Sequence, residues 1–232
     1  MAYYRIADLT VKMETFGRTK EQAEKYRADE CVCADAEIVS SWLRIRADYP
    51  YLDDDLGEYL FTGVNFYKHL LNFSGFMLHS SCVVVDGEAY LFSADPGTGK
   101  STHTKMWLDM FGERAFILND DKPALRLVDG NWYAYGTPWS GKNDVSRNVR
   151  ARIRGIAMIE RAQKNSIERF TGVDAIAAIM RQCNRPKGVE YREKLLDLLS
   201  KLFSDIPVWK LKCSMEAEAA RVSYRAMSGR DE

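Results

Sequence analysis

The sequence lacks a charge bias: 33 Lys and Arg stand against 33 Asp and Glu in 232 residues. That balance leaves no long-range field to draw nucleic acid or an anionic membrane. Its five cysteines are odd in number and irregularly spaced, which excludes a disulfide framework. Cys31 and Cys33 form a C-x-C without a second pair to complete a zinc site, so buried thiols are expected. No segment approaches the ~18 consecutive apolar residues of a membrane span. The opening "MAYYRIADLTVKMETFG" has no basic flank followed by an apolar core, and a cytoplasmic location is expected. Internal repeats and low-complexity tracts are absent too. What is present is core material, 46% hydrophobic residues with five Trp. The length suits one domain with a modest N-terminal annex, drawn here as residues 1–75 ahead of a main unit, 76–232.

The annex speaks softly. A strand is expected near Tyr4–Met13, and the charged "RTKEQAEKYRADE" reads as a solvated loop or short helix. From Asp53 the pattern sharpens. Three aspartates offer an N-cap and an acidic first turn, with Leu56, Leu60, Val64, Tyr67 and Leu71 following at helical spacing. Two hairpins are then signalled, at Asp86-Gly87 and at Asp129-Gly130. Between them lie a helix over Ser101–Phe111, stopped by Gly112, and a strand "AFILN". Further strands are expected at Gly155–Ile159, Ser166–Phe170 and "IPVWKLKC", with a helix near Val173–Cys183 and a longer one carrying Tyr191, Leu195, Leu198, Leu199 and Leu202 on one face. Ser214 should cap a last helix that packs Ala217, Ala220, Tyr224 and Met227 inward. Hairpins on both sides of the central loop predict an α/β fold with a mixed sheet.

That central loop is "SADPGTGKST", between an apolar strand and a helix. Gly97 and Gly99 allow successive amides to turn inward as a concave phosphate nest at a helix N-terminus. Lys100 can reach terminal phosphates, and the Ser101 hydroxyl can ligate Mg²⁺. Ala94 stands where the usual G-x-x-x-x-G-K-[ST] pattern has glycine, and Pro96 removes one donor from the outer rim. The expected cradle runs Ala94, Asp95, Pro96, Gly97, Thr98, Gly99, Lys100, Ser101 and Thr102. Downstream, "ILNDDKP" places two carboxylates at a strand end, one suited to metal and the other to accepting a proton. His79 opens the first hairpin, whose return brings residues 79 and 94 close together.

"LHSSCVVVDGEAYLFSADPGTGKST" followed by "ILNDDKPALRL" resembles the catalytic domain of HPr kinase/phosphorylase, of the phosphoenolpyruvate-carboxykinase-like fold. The resemblance covers about residues 76–228, strongly through Leu127 and loosely afterwards. It implies an ATP- and Mg²⁺-dependent P-loop phosphotransferase: Lys100 and the loop on the phosphates, Ser101 and Asp120 on the metal. It also implies Asp121 as general base and His79 beside the transferred group. The family's metal-site glutamate, two residues before an Arg-Gly, corresponds here to Arg152 in "ARIRGIAMI". "YGTPWSGKND" is similar to loops of small kinase-like relatives; Ser140, Lys142 or Asp144 could approach phosphates or metal from it, or it is plain surface. Residues 1–75 do not resemble the family's first domain, so the acceptor need not be HPr.

Arg147, Arg150, Arg152 and Arg154 read as a solvated basic face, and Trp132, Tyr133, Tyr135 and Trp139 as hairpin packing rather than a base-stacking site. The expected function is a kinase for a hydroxyl acceptor on a protein, peptide or small molecule, such as a peptide serine. The alternative is a nucleotide-binding accessory protein without its own phosphotransfer, for instance in a peptide-modification system. Phosphoenolpyruvate carboxykinase activity is disfavoured by length and by missing counterparts of those enzymes' arginines, lysine and histidine. The expected partners are a nucleoside triphosphate and that acceptor, with no nucleic acid and no membrane; self-association is left open.

Overall fold

The computed structural model describes residues 1–29 and 33–230. Where one strand was expected at Tyr4–Met13 there are two, β1 (Ala2–Ile6) and β2 (Leu9–Met13), paired antiparallel. The reversal falls at Ala7 and Asp8, both at positive φ, the backbone of a two-residue hairpin turn. A third strand, β3 (Ala36–Ile38), joins β2 in parallel. The charged segment forms α1 (Gly17–Ala23), and it is not simply solvated: Thr19, Gln22 and Ala23 are buried. Cys33 is exposed while Cys82, Cys183 and Cys213 are buried, and Cys31 lies outside the described residues.

After a one-turn helix α2 (Trp42–Ile45) comes α3 (Asp54–Leu70), whose N-cap Asp53 carboxylate accepts from the Leu56 amide at 2.7 Å. Its buried face is rotated from the expected stripe. Tyr59, Thr62, Gly63, Phe66 and Tyr67 point inward, and Val64 is 44% exposed. Two tryptophans explain the rotation. Trp42 and Trp139 lie so close to Gly57 and Gly63 that any Cβ there would sit within 3 Å of an indole. Small residues, not leucines, define this face.

The main sheet has nine strands. They are β4 (Gly75–Met77), β5 (Ser80–Val85), β6 (Glu88–Ser93), β7 (Ala115–Asn119), β8 (Ala124–Val128), β9 (Asn131–Tyr135), β10 (Arg150–Arg161), β11 (Ser166–Arg169) and β12 (Val208–Cys213). The order runs β4-β8-β9-β10-β6-β5-β7, with β12 pairing β10 and β11. Among the described residues of this sheet the parallel pairings are β10 with β6 and β10 with β12; both expected hairpins form. The fold is thus α/β with a mixed sheet.

Helices α4 (Lys100–Phe111), α5 (Gly172–Arg181), α6 (Val189–Asp205) and α7 (Glu218–Ser228) cover the sheet. Strand alternation assigns the faces. Cys82, Val84, Ala89 and Leu91 pack with Ile179, Leu195 and Leu199, whereas Val83, Val85, Tyr90 and Phe92 pack with Trp107 and Tyr224. This is why "CVVV" is apolar without interruption: both sides of the strand are core. Ser214 does not cap α7. Ala217 holds that position and is exposed, while Ser214 Oγ accepts from the Glu216 amide at 3.3 Å. A third cluster joins the N-terminal sheet and α3 to Ala124 and Tyr135 of the main sheet and to Trp139 in the loop after β9.

Candidate active site

The glycine loop leaves β6 and enters α4, with Gly97 and Gly99 at φ 77° and 117°. A side chain at either would be strained, so glycine is required for the chain to curl before the helix. As at any helix N-terminus, the first-turn amides of α4 are left without an intrahelical partner, and Lys100, Ser101 and Thr102 line the cavity beside the loop. Lys100 is buried and its ammonium donates to the Ala94 carbonyl at 2.9 Å. Burial depresses its pKa, against the opposing pull of Asp121, Asp120 and Asp95. A charged amine stored on a backbone carbonyl is free to move to a stronger acceptor.

The two aspartates leave β7 on a turn built by Asn119. Its buried side-chain carbonyl accepts from the amides of Asp121 and Lys122 at 2.9 and 2.8 Å, and its amide donates to the Thr137 carbonyl at 3.1 Å. The neighbouring carboxylates then diverge. Asp120 accepts from Ser81 Oγ at 2.5 Å and from Ser101 Oγ at 2.9 Å. Asp121 meets His79 Nε2 at 3.3 Å on one oxygen and the Lys122 ammonium on the other. Burial alone would raise the Asp121 pKa; the His79 and Lys122 contacts outweigh it and hold the carboxyl below the usual range.

Ser101 Oγ and Asp120 Oδ2 have the spacing of two neighbouring Mg²⁺ ligands. Cis ligands of an octahedral ion at 2.0–2.1 Å lie about 2.9 Å apart, which is the Ser101–Asp120 oxygen separation. Among the described residues no cluster of three or more His, Cys, Asp or Glu side chains forms a metal cage. One carboxylate plus one hydroxyl, completed by phosphates and water, fits Mg²⁺ better than a cation that needs an all-protein cage.

His79 is fixed from three sides: its amide donates to the Gln182 carbonyl at 2.8 Å, its own carbonyl accepts from Ser93 Oγ at 2.7 Å, and Nδ1 faces Gln182 Oε1 at 3.0 Å. The hairpin therefore does bring residue 79 against the start of the loop. A cavity of about 290 Å³ opens beside the loop, bounded by Met106, Ile159, Arg161, Cys213 and Met215. Arg161 donates to the Gly97 carbonyl and, at 3.0 Å, to the Thr98 carbonyl. His103, at the same wall, is pushed down to about 4 by burial and bonds Ser223 Oγ at 3.0 Å, tying α4 to α7.

Other expected positions fall elsewhere. Arg152 pairs with Glu88, at the end of β6 remote from the loop, and so does not approach Ser101 or Asp120. Arg150 bonds Asp8, Arg154 bonds the Ser228 carbonyl and Arg147 stacks on Phe116, all away from the loop. Ser140 is buried and donates to Asp144, which pairs with Lys25; Asp144 and Lys142 line a hollow against α1 instead of the loop. The loop still matters through Gly141, the neighbour of Asp121. Trp132, Tyr135 and Trp139 are buried in the fold, and none of the four aromatics lines the cavity. Sequence reasoning missed Ser81, Asn119, Arg161 and Gln182. Only Asn119, directly ahead of the Asp pair, carried a local signal.

No family model and no curated protein matches the sequence. Among solved structures, the chain is similar to one described as the Hpr(Ser) kinase/phosphatase from Coxiella burnetii. Identity is 12% over 66% of this chain and 95% of that one, with a TM-score of 0.37. The likeness is weak and of fold alone. No helix among the described residues is long and apolar enough to cross a membrane.

Proposed function

We propose that this protein is an ATP- and Mg²⁺-dependent kinase that phosphorylates a hydroxyl on a protein, peptide or small molecule. The observation that carries the reading is convergence: the glycine loop, the Lys100 ammonium, the Ser101–Asp120 oxygen pair and the Asp121–His79 pair meet at one end of the main sheet. In this reading residues 76–232 form the nucleotide-binding unit and residues 1–75 its annex. The loop amides and Lys100 hold the β- and γ-phosphates. Mg²⁺ on Ser101 and Asp120 would supply positive charge to those phosphate oxygens. Asp121 takes the acceptor's proton as its oxygen bonds to the γ-phosphorus and the bond to the departing ADP breaks. His79 keeps that carboxylate in place and faces the transferred group. Arg161 leaves the loop carbonyls for phosphate, and the Met106–Met215 cavity takes the base.

A second reading, nucleotide binding without transfer, draws on the two hydrogen-bond partners of Asp121. A carboxylate held by Lys122 and His79 is a weak base until one of them moves. Incubation with γ-labelled ATP, Mg²⁺ and a host-cell lysate separates the two. The kinase reading expects a discrete labelled species that appears only with the protein. Tight ATP binding with no labelled product would instead establish the accessory role.

A further inference from the structure

Strand β10 changes partners along one edge. It pairs with β9 antiparallel over residues 150–152 and with β12 in parallel from Ile156 onward, so residues 153–155 have no ladder partner on that edge. The two neighbours diverge there and leave a fork in the sheet. A cavity of about 440 Å³ opens at the fork, with Trp132 on the β9 side and Pro207 and Trp209 on the β12 side. It lies at the far end of β6 and β10 from the glycine loop. β10 spans roughly 25–30 Å from Arg152, which lines the cavity, to Arg161 at the loop, at ~3.3 Å per residue.

The charged side chains that line it are Glu88, Asp205, Arg152, Arg154 and Arg169, and their partners leave an excess of positive charge. Glu88 is met by the Arg230 guanidinium at 3.3 Å and by the Tyr90 hydroxyl at 3.3 Å. Asp205 accepts from Lys201 at 2.7 Å and from Trp132 Nε1 at 2.9 Å. Both carboxylates are therefore offset by cations from outside the cavity. The three arginines are exposed, and Arg154 donates to the Ser228 carbonyl at 2.9 Å. Arg152 and Arg169 have no hydrogen bond or ion pair among the described residues; Arg169 lies over the Trp209 ring at 5.0 Å. The Trp209 indole N–H is also without a partner among them. A guanidinium offers a planar fork of donors to two oxygens of a carboxylate or phosphate. Two such groups left unpaired around one concavity suit an anion from outside.

We propose that this fork in the sheet binds a small molecule carrying at least two anionic groups, phosphate or carboxylate, with Arg152 and Arg169 as its principal ligands. Arg154 adds a third donor by turning from the Ser228 carbonyl, and the Trp209 ring gives the ligand's carbon skeleton an apolar wall. The β10 register shifts against β6 between Ile153 and Gly155, and irregularities of this kind re-aim side chains. The site does not depend on the kinase reading, and its distance from the loop makes its occupant a second ligand beside any nucleotide.

The test is calorimetric titration of the full chain, without Mg²⁺, using inorganic pyrophosphate for the phosphate chemistry and citrate for the carboxylate chemistry. The proteins are wild type, Lys100→Met, the double variant Arg152→Ala with Arg169→Ala, and Arg150→Ala. Lys100→Met weakens the glycine loop's own hold on pyrophosphate and so isolates the fork. The proposal expects saturable binding of at least one probe in wild type and in Lys100→Met. In the double variant that binding should weaken about tenfold or more. Arg150→Ala removes a positive charge that does not line the cavity and should leave the affinity within about twofold. Both substituted arginines of the double variant are exposed, and thermal melting checks that its fold is kept. Binding of pyrophosphate alone would assign a phosphate-bearing ligand, and binding of citrate alone a carboxylate. No saturable binding of either probe in Lys100→Met, unchanged affinity in the double variant, or an equal loss in Arg150→Ala overturns the proposal. Loss of nucleotide binding at the loop would sink the kinase reading and leave the fork assignment standing.

Discussion

Asp120 and Asp121 are adjacent in the chain and sit in opposite chemical surroundings. Asp120 is met by hydroxyls, Ser81 and Ser101, neutral donors that a metal ion can displace at modest cost. Asp121 is met by a histidine and an ammonium, which keep it ionised and restrain it as a base. One turn built on Asn119 aims the two carboxylates apart. Residue type alone cannot separate their roles; partners do. The same logic, on a smaller scale, distinguishes the loop's lysine, buried on a carbonyl, from the exposed arginines at the remote end of the sheet.

The contrast breaks most visibly at Asp121. Asp121→Asn keeps the shape and removes the base, so phosphotransfer should fall about 10³-fold while triphosphate affinity stays within about twofold, as read by initial rates and calorimetry. Equal losses in both would mean that the two aspartates share one role. Asp120→Asn should act through metal instead, raising the Mg²⁺ needed for half-maximal rate about tenfold to 100-fold.

Lys122→Met sharpens the comparison by pH. Removing that cation lifts the Asp121 pKa back toward the ordinary carboxylate value, so the acid limb of the rate profile should move to higher pH. Stability follows the same sign. A depressed folded-state pKa contributes stability above the unfolded value of about 4 and loses it as pH falls through the folded value, so Lys122→Met should show less of this acid-dependent loss in thermal melts. The smallest effect is expected at Arg152→Ala, within about 0.5 kcal/mol in stability and without change in Mg²⁺ requirement, because its strand position pairs with Glu88 away from the loop.

What could be seen in the sequence was local. Asp-Gly pairs at 86–87 and 129–130 need positive φ at both positions, and the structure uses both as hairpin turns. The strand–glycine–lysine–helix order likewise is written in consecutive residues. Contacts between distant segments were not legible. Gln182 reaches Asp95 and His79 across 87 and 103 residues, and Ser81 reaches Asp120 across 39. The α3 face differs from the expected stripe because its interior is defined by Trp42 and Trp139 seated on Gly57 and Gly63, a pairing that helical spacing of leucines cannot reveal. The parallel pairing of β2 with β3 spans the same kind of gap.

The most direct test is calorimetric titration of a non-hydrolysable ATP analogue with Mg²⁺ into wild type and Lys100→Met. Saturable binding in wild type, weakened about tenfold or more in the variant, is the result expected if this loop grips a triphosphate. Absence of binding in wild type, or equal affinity in both proteins, would contradict it.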